Sequence, residues 1–126
     1  MRRALGWIKI GLGLAVPLSI IPALTGCRSN WVNATVENQT GQPVRELEVD
    51  YPTASFGSNA LNPGASMHYR FQIRGDGPIK VEYTGAGGTV FHAQGLTLSE
   101  RQQGQILILL LPSGKVQFVP NLQPAS

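Results

Sequence analysis

From Trp31 onward the chain alternates apolar and polar residues in short two-residue periods, and this alternation limits its fold more than any other feature. Val32, Ala34 and Val36 share one side of the first run. Leu47, Val49 and Tyr51 do so in the second, Met67, Tyr69, Phe71 and Ile73 in the third, and Ile79, Val81 and Tyr83 in the fourth. A period of two marks a strand with one face in a core and the other in water. The spacing predicts strands over residues 31–38, 44–51, 66–73, 79–84, 89–93, 105–111 and 115–119. Between them stand the turn formers Thr40-Gly41-Gln42-Pro43, Asn62-Pro63-Gly64, Gly75-Asp76-Gly77-Pro78, Gly85-Ala86-Gly87-Gly88 and Pro112-Ser113-Gly114. A helical period is sustained only for about a turn near residues 99–103.

About seven short strands with frequent turns are expected to form an all-β antiparallel β-sandwich that resembles the immunoglobulin-like architecture. The cysteine pair and core tryptophan of antibody domains are missing, so the resemblance is to architecture alone. The outward faces carry Glu46, Glu48 and Asp50 in the second run, and His68, Arg70, Gln72 and Arg74 in the third. An acidic and a basic stripe of this kind pair favourably when their strands are neighbours. The segment from Pro52 to Ala65 either forms a long hairpin or crosses to the other sheet.

The first quarter of the chain has a different character. Arg2, Arg3 and Lys9 precede an apolar stretch from Ile10 to Leu24, and small residues then lead to a cysteine, in the order Leu24-Thr25-Gly26-Cys27. A basic start, a short apolar middle and small residues at the cut make a secretory signal. The tetrapeptide resembles the lipobox of bacterial lipoproteins, whose signal is removed before a cysteine that then carries lipid. The rival reading is an uncleaved anchor. A span needs about 20 apolar residues, and the stretch from Leu5 to Leu24 reaches that length only by including Lys9, with Pro17 and Pro22 weakening a helix. Cys27 is the only cysteine. A lone thiol in an exported chain is a liability, which conversion to a lipid thioether removes.

The expected organisation is a signal peptide over 1–26, a lipidated cysteine and tether over 27–30, the sandwich over 31–119 and a flexible tail over 120–126. The tether spans at most about 10 Å, which keeps the domain close to the membrane. Arg28 stands where an aspartate in familiar lipoproteins favours inner-membrane retention, so the resemblance implies an outer-membrane destination facing the periplasm.

The formal charge of +3 comes entirely from Arg2, Arg3 and Lys9. Beyond Cys27 the cations and acids balance, which removes the electrostatic support for binding nucleic acid.

Motifs for chemistry are sparse. No G-x-S-x-G elbow is present, and the cysteine is committed to lipid. Alternate carboxylates on one strand stand about 7 Å apart and reach one ion only by leaning together, while calcium needs six to eight oxygens, so a solvated charged face is expected. His68 and His92 lie on separate strands without a ligand cluster, and no metal or other cofactor is expected. Gly85-Ala86-Gly87-Gly88 has no helix after it to complete a phosphate cradle and reads as a hairpin turn. Asn33-Ala34-Thr35 and Asn38-Gln39-Thr40 match the glycosylation acceptor pattern, a coincidence in a bacterial envelope protein.

One run breaks the alternation. Residues 106–111, Ile-Leu-Ile-Leu-Leu-Leu, are apolar on both faces. Either the chain's own loops and its proline-containing tail cover the second face, or Leu107, Leu109 and Leu111 form an exposed surface for a protein partner. The chain therefore reads as a lipid-anchored, non-enzymatic interaction or structural module. Two alternatives are a subunit of an envelope-spanning secretion assembly, and a small-ligand or carbohydrate-binding domain using Tyr51 and Phe56 on the loop to Ala65.

Overall fold

The computed structural model describes residues 30–125. The signal residues Leu24, Thr25 and Gly26, the cysteine Cys27 and most of the tether lie outside the described residues.

Eight strands follow one another: β1 (Trp31–Asn38), β2 (Val44–Tyr51), β3 (Ala54–Leu61), β4 (Ser66–Gln72), β5 (Gly77–Thr84), β6 (Val90–Leu98), β7 (Gln102–Leu110) and β8 (Val116–Pro124). They form two four-stranded sheets, β4-β1-β7-β8 and β3-β2-β5-β6. The chain is thus an all-β sandwich, with one strand more than the alternation predicts. Its strands β1, β2, β4 and β5 interlock, β1 pairing β4 in one sheet and β2 pairing β5 in the other. Immunoglobulin-like sandwiches cross their sheets in this way. The sandwich is not wholly antiparallel, because β1 and β7 run parallel.

Alternation places the core correctly in most strands. Val32, Ala34, Val36, Leu47, Val49, Phe71, Ile79, Val81 and Tyr83 are buried, joined by Ile106, Ile108 and Leu110. Tyr69 departs from expectation and is 41% exposed. It does point inward, but β4 is an edge strand, so the ring lies at the open side of the sandwich against β3.

The segment from Pro52 to Ala65 does carry the chain to the other sheet, but it adds a strand before it crosses. It turns at Pro52-Thr53 and returns as β3, paired with β2 from Val44↔Leu61 to Tyr51↔Ala54. Only Phe56 and Leu61 are buried along it. Its serines, glycine and asparagine are poor strand formers, tolerated because an edge strand is half solvated and benefits from polar residues.

The predicted tail is corrected in the same way. Residues 120–124 belong to β8, with Pro120 opposite Ile106 and Pro124 opposite Gln102. Proline is confined to edge strands because it cannot donate to a ladder on both sides, and β8 is such an edge. The single helical turn expected near 99–103 is instead the tight connection from β6 into β7. Gly85 to Gly88 forms the β5–β6 hairpin turn, where the Gly88 amide donates to the Gly85 carbonyl.

The acidic and basic stripes do not pair. Strands β2 and β4 belong to different sheets, so the stripes face opposite directions. Asp50 sits opposite Lys80 instead, and Glu48 opposite Glu82. A bulge interrupts β2 beside this pair, with Glu46 in the left-handed region at φ 52°.

Strand directions sort the connections between two ends. The entry into β1, the turns at 52–53, 73–76 and 99–101, and the exit from β8 gather at one end. The turns at 39–43, 62–65, 85–89 and 111–115 gather at the other.

Candidate functional site

Three surfaces collect the residues singled out by the sequence. The first is the outer face of the β4-β1-β7-β8 sheet. Since Ile106, Ile108 and Leu110 point inward, Leu107 and Leu109 point outward. Thr35, Leu107 and Val119 stand in register across three strands, and Glu37, Leu109 and Gln117 form the next row. The β1 and β4 side of this face is polar, with the Thr35 hydroxyl 3.0 Å from His68 Nδ1. On the β7 and β8 side Leu107, Leu109 and Val119 form a small apolar strip among Gln105, Gln117 and Asn121. Because the chain's C-terminal segment lies beside β7 as β8 and not over it, Val119 stays 43% exposed. Leu111 parts from the other two leucines. It follows the end of β7, donates its amide to the Lys115 carbonyl and lines a cavity at the loop end.

The second surface holds Tyr51 and Phe56. Their rings are 6.2 Å apart and belong to a stack that runs through Tyr69 and Phe71, with Tyr51 on Phe71 at 4.0 Å and Phe56 on Tyr69 at 4.5 Å. Phe56 is buried in that stack and plugs the core. Burial, and then the neighbouring Tyr69, hold the Tyr51 phenol above its ordinary value. Around the exposed part of the stack runs an open groove of about 530 Å³, bordered by Trp31, Tyr51, Tyr69, Arg70 and Arg74. The Arg70 guanidinium lies over the Trp31 ring, 4.4 Å from its centroid, a cation–π arrangement.

The third surface is a cavity of about 260 Å³ at the end opposite the start of β1. Val44, Tyr83, Phe91 and Leu111 line it between three turns. The turns close on Phe91 because two of their residues are glycines: a methyl at Gly85 or Gly114 would run into the ring. Tyr83 is buried and its hydroxyl has no hydrogen-bond partner. Burial raises its pKa above the ordinary tyrosine value. Alternation places Tyr83 in the core, but which turns meet around it is decided by topology.

Neither histidine joins a metal-binding group. His92 lies 3.5 Å from Glu82 on an exposed face, and among the described residues no cluster of three or more metal-ligating side chains occurs. Asn38, in one of the two glycosylation-like triplets, is fully buried with its carboxamide bonded on both sides.

No protein-family model matches the chain, and no curated protein is similar to it. Among solved structures, the chain is similar to a protein from Eubacterium rectale determined by NMR, at 19% identity and a TM-score of 0.53. The match covers 71% of this chain and 87% of that one. At this identity the likeness concerns the fold alone, and it agrees with the sandwich described above. Among the described residues no helix is long and apolar enough to cross a membrane.

Proposed function

We propose that the chain is a lipid-anchored, non-enzymatic lipoprotein of the bacterial envelope, held at the outer membrane and working in the periplasm as a protein-interaction module. Cys27 carries the anchor after cleavage behind Leu24-Thr25-Gly26. The partner docks on the outer sheet face around Leu107, Leu109 and Val119. The observation that carries this reading is the exposed Val119 beside Leu107, an apolar strip on an otherwise polar face that the chain's own C-terminal strand leaves uncovered. Contiguous exposed apolar surface on a small domain marks an interaction site.

Two measurements test it. Labelled palmitate should enter the wild type and not Cys27→Ser. Cross-linking in native envelopes should yield a specific partner that is lost with Leu107→Ser and Leu109→Ser, both still folded. A product unchanged in both variants removes the docking face from the proposal.

A second reading, a small-ligand module, is favoured by the Tyr83 hydroxyl buried without a partner beside the end cavity. Buried polar groups in native proteins are nearly always paired, and a small apolar molecule with one hydrogen-bond acceptor meets that need. One- and two-ring phenols and amides, titrated against the labelled domain, should shift the amides of Gly85, Thr89 and Gly114. Silence at all three, at millimolar ligand, ends this reading.

A further inference from the structure

We infer that the corner built from Trp31, Tyr69, Arg70 and Arg74 is the face on which the domain rests against a phospholipid headgroup layer. This inference rests on the reading of Cys27 as the lipidated residue.

Reach comes first. Trp31 follows Cys27 by four residues, so the two lie within about 14 Å even when the chain is fully extended. β1 begins at that tryptophan, and the end of the sandwich where β1 begins therefore faces the membrane. The headgroup region on each side of a bilayer is about 5–8 Å deep. A short tether thus holds this corner in or beside the headgroups and turns the opposite end, with the cavity around Tyr83, toward the aqueous side.

Chemistry comes second. Four large apolar residues are exposed among those described, and two of them, Trp31 at 36% and Tyr69 at 41%, stand at this corner. Tryptophan and tyrosine suit an interface because each has an apolar body and a polar edge. Arg70 and Arg74 border the same groove, and no carboxylate does. A further arginine, Arg28, precedes Trp31 by three residues in the sequence, and the acids in the turns of this end, Asp76 and Glu100, are joined to each other and lie outside the groove. Guanidinium groups bind phosphate through paired N–H donors, and basic residues near an anionic leaflet are attracted to it. The lone acidic residue of β1, Glu37, lies at its far end. Because the anchor confines the domain to the surface, a contact too weak to hold a free protein is populated in the tethered one.

The chain supplies its own probe. Its two tryptophans are Trp7 and Trp31, and Trp7 belongs to the segment before Cys27. A protein running from Cys27 to Ser126 retains every core residue, since these lie between Val32 and Leu110, and carries Trp31 as its sole tryptophan. Its single thiol can be coupled to a maleimide-headed lipid in vesicles of phosphatidylethanolamine and phosphatidylglycerol. The expected result is a blue-shifted Trp31 emission that brominated lipids quench, with quenching at least halved in Arg70→Gln/Arg74→Gln. Nearness imposed by the tether alone would quench wild type and variant equally, and that result overturns the inference. So does an emission unchanged by coupling. Because the linkage is chemical, neither outcome depends on whether cells lipidate Cys27; palmitate labelling answers that separately.

Discussion

The Asn38 carboxamide donates to the Leu61 carbonyl over 2.9 Å, tying the end of β1 to the end of β3 in the opposite sheet. The same nitrogen donates to the Gln42 carbonyl at 2.7 Å, while Oδ1 accepts from the Thr40 amide and hydroxyl. One buried side chain thus binds both the turn that follows β1 and the end of β3. Replacing it with alanine removes the buried donor to the Leu61 carbonyl, whereas the Gln42 carbonyl keeps the Thr40 hydroxyl, a loss of about 1–3 kcal/mol in chemical denaturation. Asn38→Asp keeps the acceptor but loses both donated bonds, and should fall no closer to wild type.

Alternation in β7 makes a paired prediction. Ile108 is fully buried and Leu107, its neighbour, faces outward. Ile108→Ala should cost about 2–5 kcal/mol. Leu107→Ser, on a half-exposed site, should cost about 1 kcal/mol or less. Similar losses in both would mean that the outer face is covered in solution.

Gly114 combines a left-handed backbone, φ 76°, with close approach to Phe91. Gly114→Ala should destabilise by about 2–5 kcal/mol, from backbone strain of about 1–2 plus overpacking of about 1–3. In Phe91→Leu the overpacking share should shrink while the strain stays. A double-mutant cycle on the two positions reads that difference as a coupling energy.

Tyr51 and Tyr83 both titrate above the ordinary value when folded. Above the unfolded value of about 10, the unfolded chain releases protons that the folded one keeps. Stability is therefore fully present below that pH and is lost as pH rises through the folded values. Denaturant midpoints across this range should fall less steeply in Tyr83→Phe. At neutral pH that variant should be at least as stable as wild type, since it removes an unpaired buried hydroxyl.

Glu48 faces Glu82 across β2 and β5. Like charges in direct opposition oppose pairing, so Glu48→Lys should stabilise by about 0.2–1 kcal/mol. High salt should shrink the gain, because both side chains meet solvent. A gain that persists in salt would point to packing as its source.

Alternation and turn formers by themselves determined that this chain is an all-β sandwich, and which residues of β1, β2 and β5 enter its core. Both are local properties: a two-residue period fixes the buried face, and glycine or proline fixes where a strand must end. In β7, apolar on both faces, the tertiary structure chose the inward side. Where local signals were weak, sequence reasoning stopped short. The serines and glycine of β3 and the prolines of β8 read as loop and tail, because only the position of an edge strand makes such residues acceptable. Tyr51 and Phe56 were legible as a pair, but their stacking with Tyr69 and Phe71 was not. Tertiary structure alone decided the partners of each strand. It turned the acidic and basic stripes to opposite sides, split Leu111 from Leu107 and Leu109, and brought Tyr83, Phe91 and Gly114 together. Residues far apart in sequence meet only once the order of strands in each sheet is set, and that order follows from how both sheets bury their apolar faces at once.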